Sequence, residues 1–457
     1  MDDAHQRFIG VDVGGTKIHA AVVRASGQAI KRHRLGTPQG ATAPQIRQTI
    51  EETIRACLDA ADLTPAGIGG IGLAVPGIVD YEQGQVCAAP NIGISGEPLR
   101  EPLARTFGVP VALGNDVDAS TLGEFWVGSA RQASSVIGIF VGTGIGGGIF
   151  VNRKLIRGER YSSVELGHMI MDIGGPLCGC GSHGCLEAIA SRTAIERDIR
   201  AAIKDGKSTV VRKLLDDING RIRSGVLNDA LEADDTVVTG ILRRAAEAIG
   251  LACISLRHLL TPDVIVLGGG VMEACGHFIM PIVQETVAKD TYLGDQAQTQ
   301  LIQSVLADDA GILGAAALGM QAAGIDPLDR SSPRQACYPK VLATEEGVTI
   351  DGRPWTRDVM VRVSGRPKKR KRKKRNLQLS DVSQLTVDDI RRACKGGPEL
   401  LFIAGPGSVD DLQSDVRDFL TRHAIEIDIR PRDEGIRAFN EHSARKALLA
   451  LVAPTRS

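Results

Sequence analysis

No stretch of the 457-residue sequence is both long enough and apolar enough to cross a bilayer. The longest apolar run, Val136–Val151, is broken by six glycines and a threonine and reads as strand, turn, strand. Neither charge is in excess, since 54 lysines and arginines balance 54 aspartates and glutamates. No disulfide framework is legible: the nine cysteines leave an odd one over, and outside one cluster they are scattered. The opening residues, Met-Asp-Asp-Ala-His-Gln-Arg, are polar and lead straight into a strand, so no secretory signal is expected. These absences predict a cytoplasmic protein without a membrane partner. A hydrophobic content of 43% and a charged content of 24% fit folded domains, roughly three of them at this length.

Glycine, by contrast, is plentiful at 53 residues, which suits a fold with many loops lined by backbone. The balanced charge is also unevenly placed. Residues 366–375 carry nine basic groups and no acid, which leaves 45 basic against 54 acidic residues elsewhere. Such a run is either a solvated loop or a site for an anionic polymer or nucleic acid.

The stretch with the most chemistry is 165–187. Here Glu-Leu-Gly-His is followed by Cys-Gly-Cys-Gly-Ser-His-Gly-Cys-Leu-Glu. His168, Cys178, Cys180 and Cys185 are the ligand types that tetrahedral zinc prefers, and a full Cys₃His set leaves no open position for catalysis. Three thiols among alternating glycines make poor core strand, so a structural zinc site is expected. Glu165 and Glu187 flank the cluster and remain available for other work.

Taken in order, the chain opens with apolar runs around Asp12-Val13-Gly14-Gly15-Thr16-Lys17, which predicts a β-hairpin whose turn suits phosphate. It is not a Walker loop, and by itself an ordinary hairpin turn explains it equally well. Helical spacing covers 42–62, an alternating strand 68–75, and a second helix 99–107. The buried run 109–113 then delivers Asn115 and Asp116 at a strand's carboxyl end, where α/β proteins place ligands; a helix N-cap is the alternative role for an Asp there. A second glycine hairpin, 142–148, repeats the first, suggesting two similar lobes that clasp a nucleotide's phosphates. Gly268, Gly269 and Gly270 follow a buried strand, implying either close approach by a purine or a tight strand–helix turn. Residues 308–320 form an Ala/Gly-rich helix, 324–340 a linker, and 341–457 a separate small α/β domain. In that domain we expect a hairpin of 348–350 with 358–363, helices near 386–394 and 408–422, strands 400–404 and 425–429, and a final helix over 433–451.

Residues 8–325 resemble the ROK family of repressors, open reading frames and kinases, in its sugar-kinase branch. The matching motifs are Asp-Val-Gly-Gly-Thr-Lys (12–17), Pro-Gly-Ile-Val-Asp (76–80), Ala-Pro-Asn (89–91), Gly-Asn-Asp (114–116), Gly-Thr-Gly-Ile-Gly-Gly-Gly (142–148), Glu-Leu-Gly-His (165–168), the cysteine segment and Gly-Gly-Gly (268–270). The resemblance implies an α/β, actin-like fold of two ribonuclease-H-like lobes. The small lobe would span 1–115, completed by a helix near 308–323, and the large lobe 116–307. It further implies ATP-dependent phosphorylation of a hexose C6 hydroxyl, with glucose first and N-acetylmannosamine, N-acetylglucosamine, fructose or polyphosphate-driven variants as alternatives.

By that resemblance Asp116 is the catalytic base, and Asn91, Asn115, Glu165, His168 and Glu187 contact the sugar. Asp12 organises Mg²⁺. Gly14, Gly15, Thr16, Lys17, Gly142, Thr143, Gly144 and Gly268–Gly270 hold ATP. His168 also joins Cys178, Cys180 and Cys185 on structural zinc, and a homodimer is implied. The family commonly reads Glu-Asn-Asp-Ala-Asn where this chain has Gly114-Asn115-Asp116-Val117-Asp118. A sugar-sensing regulator of this family would carry a helix-turn-helix before the first hairpin, and only seven residues precede Phe8, so a kinase is expected. The C-terminal domain resembles one shared by an adipogenesis-associated protein and a complex I assembly factor, through 348–358, 400–407 and 438–451.

Overall fold

The apolar runs around the first glycine turn pair antiparallel as β1 (Arg7–Val13) and β2 (Lys17–Arg24), and β2 pairs with β3 (Ala29–Gly36). Two further strands, β4 (Gly70–Val75) and β8 (Val111–Asn115), extend the sheet in parallel, giving the order β3-β2-β1-β4-β8. Helix α1 (Ala43–Asp59) buries Ile46, Ile50, Ile54 and Leu58 against this sheet. Strands β5 (Ile78–Asp80), β6 (Gln85–Ala89) and β7 (Ile94–Pro98) make a small side sheet, and α2 (Arg100–Phe107) leads into β8.

After α3 (Asp116–Trp126) the pattern repeats. Strands β9 (Val136–Val141), β10 (Ile145–Val151), β11 (Lys154–Leu155), β12 (Val264–Gly268) and β13 (Gln300–Gln303) form a sheet ordered β11-β10-β9-β12-β13. Its antiparallel triplet and two parallel strands match the first sheet strand for strand. The two lobes expected from the repeated glycine hairpin are therefore present, each built the same way. Helices α4 (Leu186–Ala190), α5 (Arg192–Lys204), α6 (Ser224–Glu232), α7 (Thr236–Leu260) and α8 (Gly270–Ala288) belong to the second lobe, and their apolar sides join its core.

One more helix, α9 (Ala310–Ala322), lies against β1, β4 and α3. The contact is backbone on backbone. A Cβ at Gly72 would stand 1.8 Å from the Ala315 carbonyl oxygen, and one at Gly314 only 1.6 Å from that of Ala119. Glycine here is a packing requirement, which explains the Ala/Gly-rich composition of this segment.

The computed structural model describes residues 7–89, 92–158, 164–212, 222–293, 298–329, 341–344, 347–350, 352–355, 358–361, 367–369, 381–394, 398, 400–422, 425–441 and 446–451. The chain divides into Met1–Ser332 and Pro333–Ser457. Among the described residues no helix is long and apolar enough to cross a membrane.

The second unit has a sheet ordered β18-β17-β21-β19-β20, from β17 (Val359–Val361), β18 (Pro367–Lys369), β19 (Leu400–Ala404), β20 (Glu426–Arg430) and β21 (Lys446–Ala450). Beside it runs a meander of β14 (Val341–Thr344), β15 (Gly347–Ile350) and β16 (Arg353–Trp355). Helices α10 (Val387–Ala393) and α11 (Ser414–Arg422) pack with Leu401, Ile403 and Leu449, while α12 (Arg432–Glu441) packs with Phe402 and Leu448.

Two sequence expectations fail here. The helix expected over 433–451 stops at Glu441, and 446–450 is a strand beside β19. A five-residue apolar run fits a buried strand as well as a helix, and sheet pairing decides it. The hairpin partner of 347–350 is Arg353–Trp355, whereas 359–361 pairs with β21 and β18. Of the basic run, residues 366 and 370–375 lie outside the described residues, as does Asn91.

Candidate active site

Strand β8 ends on Asn115, whose side chain caps α3. Its Oδ1 accepts from the backbone N–H of Val117 (2.9 Å) and Asp118 (3.2 Å), and its Nδ2 donates to the Gly77 carbonyl at 2.9 Å. Asn115 therefore spends most of its hydrogen-bonding capacity on holding the helix start. Asp116 is the first helical residue. Its carboxylate accepts from the Val117 N–H at 3.0 Å. Burial pushes its pKa above the ordinary 3.8, the Val117 N–H opposes this, and the nearby Glu165 charge adds to it. A carboxylate raised toward neutrality is what proton abstraction from a hydroxyl requires.

Asp12 stands near the end of β1, opposite. Burial pushes its pKa up to about 6, the Asp116 charge adds to this, Lys17 opposes it, and Asp308 raises it further. A buried carboxylate whose charge is further destabilised by neighbouring acids, as Asp12 is, fits a site completed by a divalent cation. The first turn is fixed from behind. Gly14 N–H donates to the Lys17 carbonyl (2.9 Å), while the Gly14 and Gly15 carbonyls accept from Thr37 Oγ1 (2.6 Å) and Gln39 Nε2 (2.9 Å). Thr16 and Lys17 are left exposed.

The second turn is held from a different quarter. Gly142 N–H donates to the Gly144 carbonyl (2.9 Å). Thr143 accepts from Arg192 Nη2 at its hydroxyl (2.8 Å) and from Thr193 Oγ1 at its carbonyl (2.7 Å). Arg192 and Thr193 were not singled out from the sequence. The signal in the sequence is the polar run Ser191-Arg192-Thr193, which follows the apolar α4 and opens α5. The triple glycine turns tightly from β12 to α8: Gly269 has φ +89°, and a Cβ there would lie 2.5 Å from the Val141 carbonyl oxygen. Gly268 is crowded by Phe140, whereas a Cβ on Gly270 would only come into ordinary contact with the Ser224 hydroxyl at 3.5 Å.

In the cysteine loop, one ligand atom each from His168, Cys178, Cys180 and Cys185 lies within 4.8 Å of every other. Cys178 Sγ is 3.6 Å from His168 Nδ1, and Cys180 Sγ is 3.7 Å from Cys185 Sγ. A tetrahedron with Zn–S bonds of about 2.3 Å has edges near 3.8 Å, which these two separations match, so the four side chains are compatible with a zinc ion. The backbone explains the convergence. Gly184 (φ +74°) sits where a Cβ would be 1.7 Å from the Asp172 carbonyl oxygen, and its N–H donates to the Pro176 carbonyl at 2.9 Å. From this loop Glu187 reaches back to the second hairpin, accepting the Ile145 N–H at 2.8 Å. Glu165 is exposed and close enough to Asp116 and Asp118 to raise both.

Two matching lobes, a half-buried carboxylate at a helix start, and two glycine hairpins form one arrangement. A family model described as "ROK family" matches residues 8–322. The chain belongs to the ROK family. Among its relatives, a glucokinase of Thermotoga maritima is 34% identical over 313 residues, 68% of this chain and 96% of that protein. A ROK hexokinase from Thermus thermophilus shares the fold at a TM-score of 0.59 and 31% identity, covering 70% of this chain and 99% of its own. A ROK-family glucokinase from Streptomyces griseus, solved in complex with glucose and AMPPNP, matches at 0.59 and 31%, covering 69% and 99%. The actin-like two-lobed fold is thus that of this ROK chain, and the matched span falls within its first unit.

Proposed function

We propose that this ROK protein is an ATP-dependent hexose kinase that phosphorylates glucose at its C6 hydroxyl. The observation that carries this reading is Asp116, raised by burial at the start of α3 and near enough to Asp12 to raise that carboxyl as well. Relatives named glucokinase, and one solved with glucose and a nucleotide analogue, support the substrates. Asp116 accepts the C6 hydroxyl proton as that oxygen attacks the γ-phosphorus. Lys17 and the backbone N–H groups of the two glycine hairpins stabilise charge on the phosphoryl oxygens. Asp12 would hold Mg²⁺, which neutralises phosphate charge when bound.

Glu165, His168, Glu187, Asn115 and Asn91 are assigned to sugar hydroxyls. A carboxylate accepts two hydroxyl bonds directionally, which suits this task. Zinc on His168, Cys178, Cys180 and Cys185 serves as the scaffold that presents Glu165 and Glu187. We assign the protein to the cytoplasm and read it as a homodimer.

The test is a coupled ADP-release assay across glucose, N-acetylmannosamine, N-acetylglucosamine and fructose, with ATP or polyphosphate as donor and Asp116→Asn as control. Turnover on glucose with ATP, lost in the variant, is expected. Wild-type rates equal to the variant's on every sugar would overturn the kinase reading.

The second unit we assign to the small α/β domain type shared by the adipogenesis-associated protein and the complex I assembly factor. Within the described residues, the resembling segments include β16, β19 and β21 and parts of β15 and α12. The nine basic groups of 366–375 favour an anionic polymer as its partner. Salt-dependent retention of the full chain on heparin or polyphosphate, abolished by deleting 368–375, is the expected result; unchanged retention refutes it.

A further inference from the structure

One segment of the small lobe grips the start of the base helix from both sides of Asp116. Tyr81, between β5 and β6, donates its hydroxyl hydrogen to Asp118 Oδ2 at 2.7 Å. The same hydroxyl oxygen accepts the Asn115 backbone N–H at 3.1 Å. Four residues earlier, the Gly77 carbonyl accepts from the Asn115 side chain. The residue before the base and the residue two after it are thus tied to one loop. Among the described residues the Asp116 carboxylate is anchored only to the adjoining Val117 N–H, and the hydroxyl of Ser120 donates to its backbone carbonyl at 2.7 Å. The direction of its carboxylate therefore follows the placement of α3's first turn.

Asp118 is an odd residue for such a place. It is 2% exposed, and its second oxygen, Oδ1, is buried without a hydrogen-bond partner among the described residues. That oxygen faces the backbone of β10, where a Cβ on Gly148 would come within 2.9 Å of it. The charged and titratable groups acting on Asp118 are Tyr81, Asp116, Glu165 and Arg157. Arg157, in the large lobe just beyond β11, lies over the Tyr81 ring with its guanidinium carbon 4.9 Å from the centroid, so the ring is held from both lobes.

We infer that Tyr81 and Asp118 are positioning residues for the base, clamping the first turn of α3 and so fixing the direction of the Asp116 carboxylate. The inference rests on the kinase reading above. It takes an acceptor at position 118, not a charge: burial pushes the Asp118 carboxyl up to about 7, so it stands largely protonated below neutrality and meets Tyr81 as a neutral group.

The test compares Tyr81→Phe, Asp118→Ala and Asp118→Asn in the full-length protein, with steady-state kinetics and pH profiles. Misplacing a reacting group by about 1 Å can cost on the order of a hundredfold in rate. Tyr81→Phe and Asp118→Ala should each lower kcat by about tenfold or more with the glucose KM within about twofold. Asp118→Asn keeps the acceptor and should recover kcat to within about threefold of wild type. It should also remove an inflection near pH 7 from the kcat/KM profile, because the titrating charge beside Asp116 is gone. A folded Tyr81→Phe variant with unchanged kcat overturns the inference, as does an Asp118→Asn variant no better than Asp118→Ala. Wild-type protein without turnover on any sugar would overturn the kinase reading itself, and this inference with it.

Discussion

The Glu187 carboxylate accepts the Ile145 N–H at 2.8 Å, which makes one side chain of the cysteine loop the brace of the second glycine hairpin. A Cβ on Gly144 would stand 2.3 Å from the same carboxylate oxygen, so the hairpin is built around it. Sugar and nucleotide binding should accordingly be coupled at this residue. A hydrogen bond to a charged group contributes about 1.5–3 kcal/mol. Glu187→Ala should lower kcat/KM for glucose and for ATP together, by roughly tenfold to a hundredfold. A loss confined to glucose, measured with each substrate varied in turn, would separate the two roles.

Asp116→Asn should reduce kcat by about two to four orders of magnitude while glucose binding by calorimetry stays within a few-fold. The pH profile carries the sign. The proposed base, Asp116, works deprotonated, and burial places its pKa above 3.8. The acid limb of kcat should therefore fall at a pH higher than an ordinary aspartate's, and Glu165→Gln, which removes a charge that raises it further, should move that limb downward.

Much of this was legible beforehand because the decisive residues sit at strand ends and turns, where composition betrays geometry. The repeated glycine hairpins announced two like lobes, and the matching strand orders follow from them. The alternating cysteines and glycines announced a convergent ligand set, which the four clustered ligand atoms match. What escaped was decided across long sequence separations. Nothing local tells Tyr81 that Asp118 will lie against it, or Arg192 that Thr143 will. The segment 446–450 failed for a related reason, since its neighbour β19 lies about forty residues away and determines whether an apolar run is strand or helix.

Removing the proposed zinc should act on the sugar before it acts on the chemistry. Cys180→Ser leaves three ligands and an open position. Zinc content measured by a colorimetric chelator should fall, and the glucose KM should rise by about tenfold, with a smaller change in the ATP KM. An unchanged glucose KM in zinc-free protein would dissociate the loop from sugar recognition.

The crossing of α3 and α9 admits no side chain. With a Cβ at Gly314 only 1.6 Å from the Ala119 carbonyl oxygen, Gly314→Ala forces the helices apart. Overpacking of this kind costs about 1–3 kcal/mol, and backbone cannot move aside as a flexible side chain can. The unfolding midpoint should drop by about 5 °C or more. Because α3 carries Asp116, kcat should fall in whatever fraction remains folded, whereas a stable variant with full activity would show that α9 can shift freely.

Asp118 supplies a pH-dependent stability test that needs no substrate. Its folded pKa, about 7, lies above the unfolded value near 3.8 because burial disfavours the anion. Between those values the folded state binds more protons than the unfolded one, so stability falls as pH rises. The contribution is fully present below about pH 3.8 and is lost as pH passes through about 7. Asp118→Asn is neutral throughout and escapes that loss. It should be more stable than wild type at pH 8, by on the order of 1–3 kcal/mol, with the gap closing toward pH 5. Denaturant midpoints for both proteins at the two pH values decide it. A gap that stays constant with pH would mean that Asp118 is already ionised at pH 5 and that its buried oxygen finds a partner in solution.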